Sequence, residues 1–278
     1  MSPADAQTAL ETTPWIPISP DLQEHCWLGV DELDLHTYKE AMAAHDAEEW
    51  RKGIAEESAS LKAHEVWRLI PRTSVPKGRW IIRSKLHFHR KRDEAGNVVH
   101  CKVRCVAKGF TQMPGVDYSE TFAPISRMEA VRAILHIGAT NDWEIDQLDV
   151  KMAFLHGELE EELYMEQPEG AKEPSHEDWV CALDKALYGL KQASERWYKK
   201  LHGSMVKEGY QCVSIDHSMY IRTSPVRTSI IATHVDDMLA LVSTREEMAK
   251  LKRDLKDYFD LVDMGPVPWL LGIHVERN

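Results

Sequence analysis

An apolar run, Ile230-Ile231-Ala232-Thr233-His234-Val235, breaks at two adjacent aspartates, Asp236 and Asp237, and resumes at once as Met238-Leu239-Ala240-Leu241-Val242. Two buried strands joined by a tight turn would set both carboxylates at a hairpin tip. Buried strands do not tolerate bare carboxylates, so such a tip must meet water, a cation or a ligand. A third aspartate sits in a similar frame upstream, Gln147-Leu148-Asp149-Val150. Carboxylates presented by two strands can hold divalent metals, and paired metals are machinery for phosphoryl transfer. Aspartate pairs also occur in hairpin turns for conformational reasons alone, so the rest of the chain must decide.

The charge distribution points the same way. The net charge of −11 over 278 residues argues against a uniformly basic nucleic-acid binder. Between Val66 and Phe110, however, twelve Lys or Arg stand against Asp93 and Glu94 alone, so the remaining residues carry −21. A basic segment on an acidic body is an electrostatic footprint for phosphate. A solvated hairpin with lysine-rich edges would look the same. In this segment His87, His89, His100, Cys101 and Cys105 offer a rival zinc reading, but their spacing matches no standard finger.

A hydrophobic content of 43% is ample for one large domain or two smaller ones. No window holds the roughly 18 apolar residues that span a membrane. The first residues lack the basic and apolar regions of a secretory signal. Five cysteines, an odd count without C-x-x-C, fit a reduced intracellular setting, cytoplasmic or nuclear alike.

These residues need elements to position them. Residues 1–36, punctuated by Pro3, Pro14, Pro17 and Pro20, read as a linker or disordered tail. Asp46 with Glu49 predicts a capping box opening a helix with Trp50, Ile54 and Leu61 on one face. Trp80–Phe88 and Val98–Ala107 predict a projecting basic hairpin around the turn residues 93–97. Ser126 with Glu129 predicts a second capped helix, through Val131, Ile134, Leu135 and Ile137. Trp143–Val150 reads as a strand delivering Asp149 at its end, and Lys185–Leu201 as a helix behind a turn near Gly189. Thr244 with Glu247 caps a helix bearing Met248, Leu251, Leu255 and Phe259, and residues 270–275 close as a strand. Strands and helices mix without a βαβ rhythm, so the expected class is α+β.

Six blocks, in order, resemble one family. Arg104-Cys105-Val106-Ala107-Lys108-Gly109-Phe110-Thr111-Gln112 looks like its fingers motif, and Asp117-Tyr118-Ser119-Glu120-Thr121-Phe122-Ala123-Pro124 is similar to its D-Y-x-E-T-F-A-P signature. The stretch from Gln147 to Gly157 resembles Q-x-D-V-K-T-A-F-L-N-G, and Leu187-Tyr188-Gly189-Leu190-Lys191-Gln192 matches L-Y-G-L-K-Q. Val235-Asp236-Asp237 matches the catalytic Val-Asp-Asp, and Leu271-Gly272-Ile273 the closing L-G-I. The family is the reverse transcriptase domain of copia-type LTR retrotransposon Pol polyproteins, and the resemblance covers roughly residues 37–278.

The resemblance implies a right-hand polymerase of fingers and palm, with the thumb mostly absent. It implies RNA-directed DNA polymerase activity: two-metal transfer of dNTPs onto a primer paired with an RNA or DNA template. By position, Asp149 and Asp236 would be metal ligands, Asp237 the third carboxylate, and the Val150 carbonyl would complete the cage. Mg²⁺, or Mn²⁺ in its place, is the implied cofactor. Phe154 would exclude the ribose 2′ hydroxyl, although spacing alone reads it as a core aromatic. Lys102, Arg104 and Lys108 would meet the incoming triphosphate, although a solvated strand face reads the same. Gln192 would line the nucleotide and template pocket, unless it is a helix cap near Gly189. No membrane partner is implied, and the other Pol segments, integrase and RNase H, are expected outside this chain.

The chain departs from the family pattern at three places. His234 stands for the usual tyrosine, Glu195 for an arginine beside the template path, and His156 for an asparagine. The thumb helices are expected after the L-G-I block, which places this sequence in a longer polyprotein or a degraded copy. Two functional readings follow: a polymerase domain, or an inactive truncated relic that is at most a nucleic-acid-binding module.

Overall fold

The computed structural model describes residues 35–93, 95–225, 227–267, 269–270 and 273–276. The expected tail over 1–36 lies outside these residues, apart from its last two. In chain order the elements are α1 (Tyr38–Ala43), α2 (Ala47–Ala63), β1 (Trp67–Ile70), β2 (Ile81–Ile82), β3 (Ser84–Arg92), β4 (Val98–Ala107) and α3 (Met128–Asn141). There follow β5 (Glu144–Val150), a 3₁₀ turn (Ala153–His156), β6 (Glu158–Glu166), β7 (Val180–Lys185), α4 (Ala193–Lys207), β8 (Gln211–Val213), β9 (Asp216–Ser224) and β10 (Arg227–His234). The described chain ends with β11 (Asp237–Val242), α5 (Arg245–Lys256), β12 (Leu261–Pro266), β13 (Trp269–Leu270) and β14 (Ile273–His274). The architecture is mixed α and β.

The largest sheet runs β12-β5-β11-β10-β9-β8, antiparallel throughout. Its strand β11 is apolar from Met238 to Val242 because both faces are covered there. Met238, Ala240 and Val242 pack with Trp197, Leu201 and Met205 of α4 and with Met248, Leu251 and Leu255 of α5. Leu239 and Leu241 point the other way, onto Val131 and Ile134 of α3. Ile145 packs on that α3 side as well. By the two-residue period of a strand, Gln147, Asp149 and Asp237 share this face one pleat further on. A second sheet, β1-β7-β6-β2, and the β3–β4 hairpin share another core with Trp50, Ile54 and Leu61 of α2.

Several expected boundaries move. The hairpin does not project freely. Leu86, Phe88, Cys101, Val103 and Cys105 face α2 in the core, and the exposed part is the tip. Gly53 lets α2 lie against the strand, since a Cβ there would stand 2.6 Å from the Cys101 carbonyl oxygen. Asp46 precedes α2 but its side chain makes no cap bond; it accepts from the Trp50 indole and from Arg90 instead. Ser126 is not a cap either, because α3 starts at Met128 and the Ser126 hydroxyl donates to the Thr233 carbonyl. Thr244 does cap α5, accepting from the Glu247 amide.

The expected helix over Lys185–Leu201 is instead the end of β7, a loop, and α4 from Ala193. Leu187 and Leu190 have helical spacing, yet Gly189 between them sits at φ +87°, outside a right-handed helix. A Cβ on Gly189 would lie 2.1 Å from the Ala107 carbonyl oxygen, so only glycine allows this crossing. The strand expected over Trp80–Phe88 is two, β2 and β3. Residues 269–274 contribute two short antiparallel strands rather than one, pairing Trp269 with His274.

Candidate active site

β10 and β11 close a two-residue turn, with His234 opposite Asp237 and Val235-Asp236 between them. Val235 has φ +59°. Glycine normally takes this position, and a β-branched residue there stores on the order of 1–3 kcal/mol of strain. Three elements hold the turn. The Trp197 indole donates to the Val235 carbonyl at 2.7 Å. The Val150 amide donates to the Asp236 carbonyl at 2.9 Å, and both the amide and hydroxyl of Ser126 donate to the Thr233 carbonyl.

β5 pairs with β11 so that Asp149 lies directly opposite Asp237. Gln147 donates from Nε2 to Asp237 Oδ1 at 3.1 Å. The Asp149 carboxyl is pushed above its usual range, first by burial and then by the charges of Asp236 and Asp237. The three carboxylates expected from sequence therefore do converge. Among the described residues, no group of three or more His, Cys, Asp or Glu side chains is arranged to hold a metal ion. Val150 contributes its amide to the turn and its buried side chain to the core beneath.

The outer face of the β3–β4 hairpin looks onto this cluster. Lys102 and Lys91 both lower the Asp149 carboxyl through their charge. The Lys102 ammonium is itself pushed down, by burial first and then by Arg104 and Lys91. Arg104 stacks over the Tyr188 ring at 5.4 Å, and Tyr188 meets Phe154 edge-on at 5.0 Å. Burial raises the Tyr188 phenol, which also senses Asp236. Arg104, Tyr188 and Phe154 thus form a continuous wall beside the carboxylates. Beneath the strand, Glu57 accepts the Cys105 amide at 2.8 Å, with its carboxyl raised by burial, and so ties β4 to α2.

Other expected site residues fall elsewhere. Lys108 heads a 3₁₀ turn at the Gly109–Gly189 crossing, its amide held by the Arg83 carbonyl. Gln192 is fully buried; it accepts from Gln112 and donates to the Asp117 carbonyl. It sits at the N-cap position of α4 without a side-chain cap bond. Glu195, expected beside the template path, is buried on α4. Its side chain is 3% exposed, between Arg196 Nε at 3.2 Å and Lys199 Nζ at 2.7 Å. Arg196 is equally buried and pairs with Glu160 and Glu161. His156 packs among the rings of His64, Trp197 and Phe259, and burial lowers its imidazole.

Sequence reasoning missed Lys91, Tyr188, Trp197 and Glu57 as site residues. Tyr188 stood inside a recognised block, but nothing in the spacing aimed it at Phe154. Period-two alternation on β3 puts Lys91 on the face opposite Arg90, the one signal that could have marked it. No local pattern marks Trp197 or Glu57.

A family profile described as Reverse transcriptase (RNA-dependent DNA polymerase) matches residues 64–278. The retrovirus-related Pol polyprotein from transposon TNT 1-94 of Nicotiana tabacum is 39% identical over 89% of this chain and 18% of its own length. The corresponding polyprotein from transposon RE1 of Arabidopsis thaliana is 32% identical over 85% of this chain and 16% of its own length. The transposon Ty1-DR5 Gag-Pol polyprotein of Saccharomyces cerevisiae is 29% identical over 66% of this chain and 10% of its own length. The chain therefore spans less than a fifth of the length of these relatives. Among the described residues, no helix is long and apolar enough to cross a membrane.

Proposed function

The chain belongs to the reverse transcriptase family, in the copia-type branch of retrotransposon Pol polyproteins, and on that premise we propose that it extends a DNA primer with dNTPs on an RNA or DNA template. The observation carrying this reading is the convergence of Asp149, Asp236 and Asp237 opposite a basic strand face. In this reading the six-stranded sheet is the palm, and the hairpin with its supporting sheet is the fingers.

Asp149 and Asp236 would hold the metals. Bound there, two Mg²⁺ ions, or Mn²⁺, would neutralise charge on the attacking and leaving oxygens of an in-line displacement. Gln147 fixes Asp237, so the third carboxylate keeps its orientation beside them. Lys102 and Lys91 attract the triphosphate and screen its charge from the aspartates. Arg104, held on Tyr188, aims a planar donor from the same side. Phe154, braced by Tyr188, forms the wall against the sugar. Further Pol segments, RNase H and integrase among them, are the expected partners in a polyprotein.

Primer extension with a DNA primer on an RNA template in Mg²⁺ tests the reading. The parent chain should extend, and Asp236→Asn should lose at least about 10²-fold in rate, the scale of removing one preorganised charge-stabilising group. Equal rates would sink it. Binding of primer–template without extension would instead favour the inactive binding module.

A further inference from the structure

The catalytic turn is strained and poorly backed. Val235 carries a left-handed φ without being glycine. A cavity of about 530 Å³ opens directly beside it, bordered by Val235, Thr233, Trp197, Tyr198, Phe122 and Ile125. On that flank the turn borders this cavity, whose lining includes Trp197 and Leu201. Hydrogen bonds must therefore hold a conformation that the residue itself disfavours.

The bonds from Ser126, to the Thr233 carbonyl, and from the Val150 amide, to that of Asp236, do not reach the Val235 carbonyl. The bond to that carbonyl comes from the Trp197 indole, at 2.7 Å. Its donor is well anchored. The side chain is buried on α4, edge-on to Phe259 at 5.1 Å, and α4 itself is locked to β6 through Arg196.

We propose that Trp197 is a positioning residue for the polymerase reaction: its indole N–H, rather than the bulk of its ring, holds Val235 left-handed and so presents the Asp236 carboxylate. This rests on the reading of Asp236 as a metal-holding carboxylate. In this role Trp197 acts through the turn, by its bond to the Val235 carbonyl. A purely structural tryptophan would matter through its ring, and losing its N–H would leave the chemistry untouched.

The test replaces the donor and keeps an aromatic ring. Trp197→Phe should lower kcat about 10²-fold, the scale of a small misplacement of a catalytic group. KM for dNTP should stay within about twofold, because the basic face and Phe154 are unchanged. Asparagine tolerates left-handed φ. In a Val235→Asn background the turn no longer depends on the clamp, so adding Trp197→Phe should cost less than about tenfold, a departure from additivity expected of coupled sites. Amide hydrogen exchange at residues 234–237, read without any substrate, should speed up in Trp197→Phe alone.

An active parent whose kcat is unchanged by Trp197→Phe overturns the clamp and leaves the carboxylate assignment standing. An inactive parent overturns the polymerase reading, and exchange at 234–237 then decides the clamp: unchanged protection removes it. An equal loss from Trp197→Phe in both backgrounds shows that the ring, not the bond to Val235, is what matters.

Discussion

Asp149 and Asp237 are cross-strand partners at the end of the largest sheet. Burial and two like charges raise the Asp149 carboxyl. A carboxyl raised on folding binds its proton more tightly in the folded state. Its favourable contribution is complete below the unfolded value near 3.9 and is lost as pH rises through the folded value. Metal-free Asp149→Asn should therefore melt above the parent at neutral pH, and the gap should close toward pH 3. Thermal melts in chelator across that range check it; a gap that is constant or widens on acidification contradicts the repulsion.

Phe154 is half-buried and braced by Tyr188. Phe154→Ala should raise the ratio of ribonucleotide to deoxyribonucleotide incorporation about tenfold or more, the scale at which a pocket rejects an extra group. The stability cost should be about 1–3 kcal/mol, less than for a fully buried phenylalanine. A folded variant with an unchanged ratio would make Phe154 a core residue only.

Glu195 lies in a buried ion network with Arg196 and Lys199. Glu195→Arg, which would restore the family's usual charge, should not tighten nucleic-acid binding. It should place a second guanidinium beside Arg196 and destabilise the fold by about 3–5 kcal/mol, the cost of breaking a buried pair. Denaturant unfolding reads this directly. A variant as stable as the parent would mean that the side chain leaves the network.

Arg90 and Lys91, near the hairpin tip, are not equivalent. Arg90 is mostly buried, paired with Asp46 and stacked over Trp50, whereas Lys91 shares the outer face with Lys102. Lys91→Ser with Lys102→Ser should reduce the salt slope of primer–template binding by about one unit per side chain. Arg90→Ser should mainly lower the melting temperature. If Arg90→Ser flattens the slope more than the lysine pair does, the assignment of faces is wrong.

Much was legible without coordinates because it is encoded by local period and short range. The apolar run broken by Asp236-Asp237 reads as a hairpin with its carboxylates at or beside the tip, since strand burial disfavours bare carboxylates. Thr244 with Glu247 marked a helix start because that bond closes within four residues. The six blocks identified the family because their order and residue types are properties of the chain alone. Tertiary structure decided the rest. Ser126 and Asp46 carry capping patterns, yet each found a partner distant in sequence or a competing side chain, Thr233 and Arg90 respectively. Glu195 reads from sequence as a charge beside the template path, and in the fold α4 turns it toward the core beside Arg196. Trp197 and Val235 are 38 residues apart. Their hydrogen bond exists only because α4 packs under the sheet. A sequence states which side chains can bond, but the meeting of two distant ones depends on how whole elements pack.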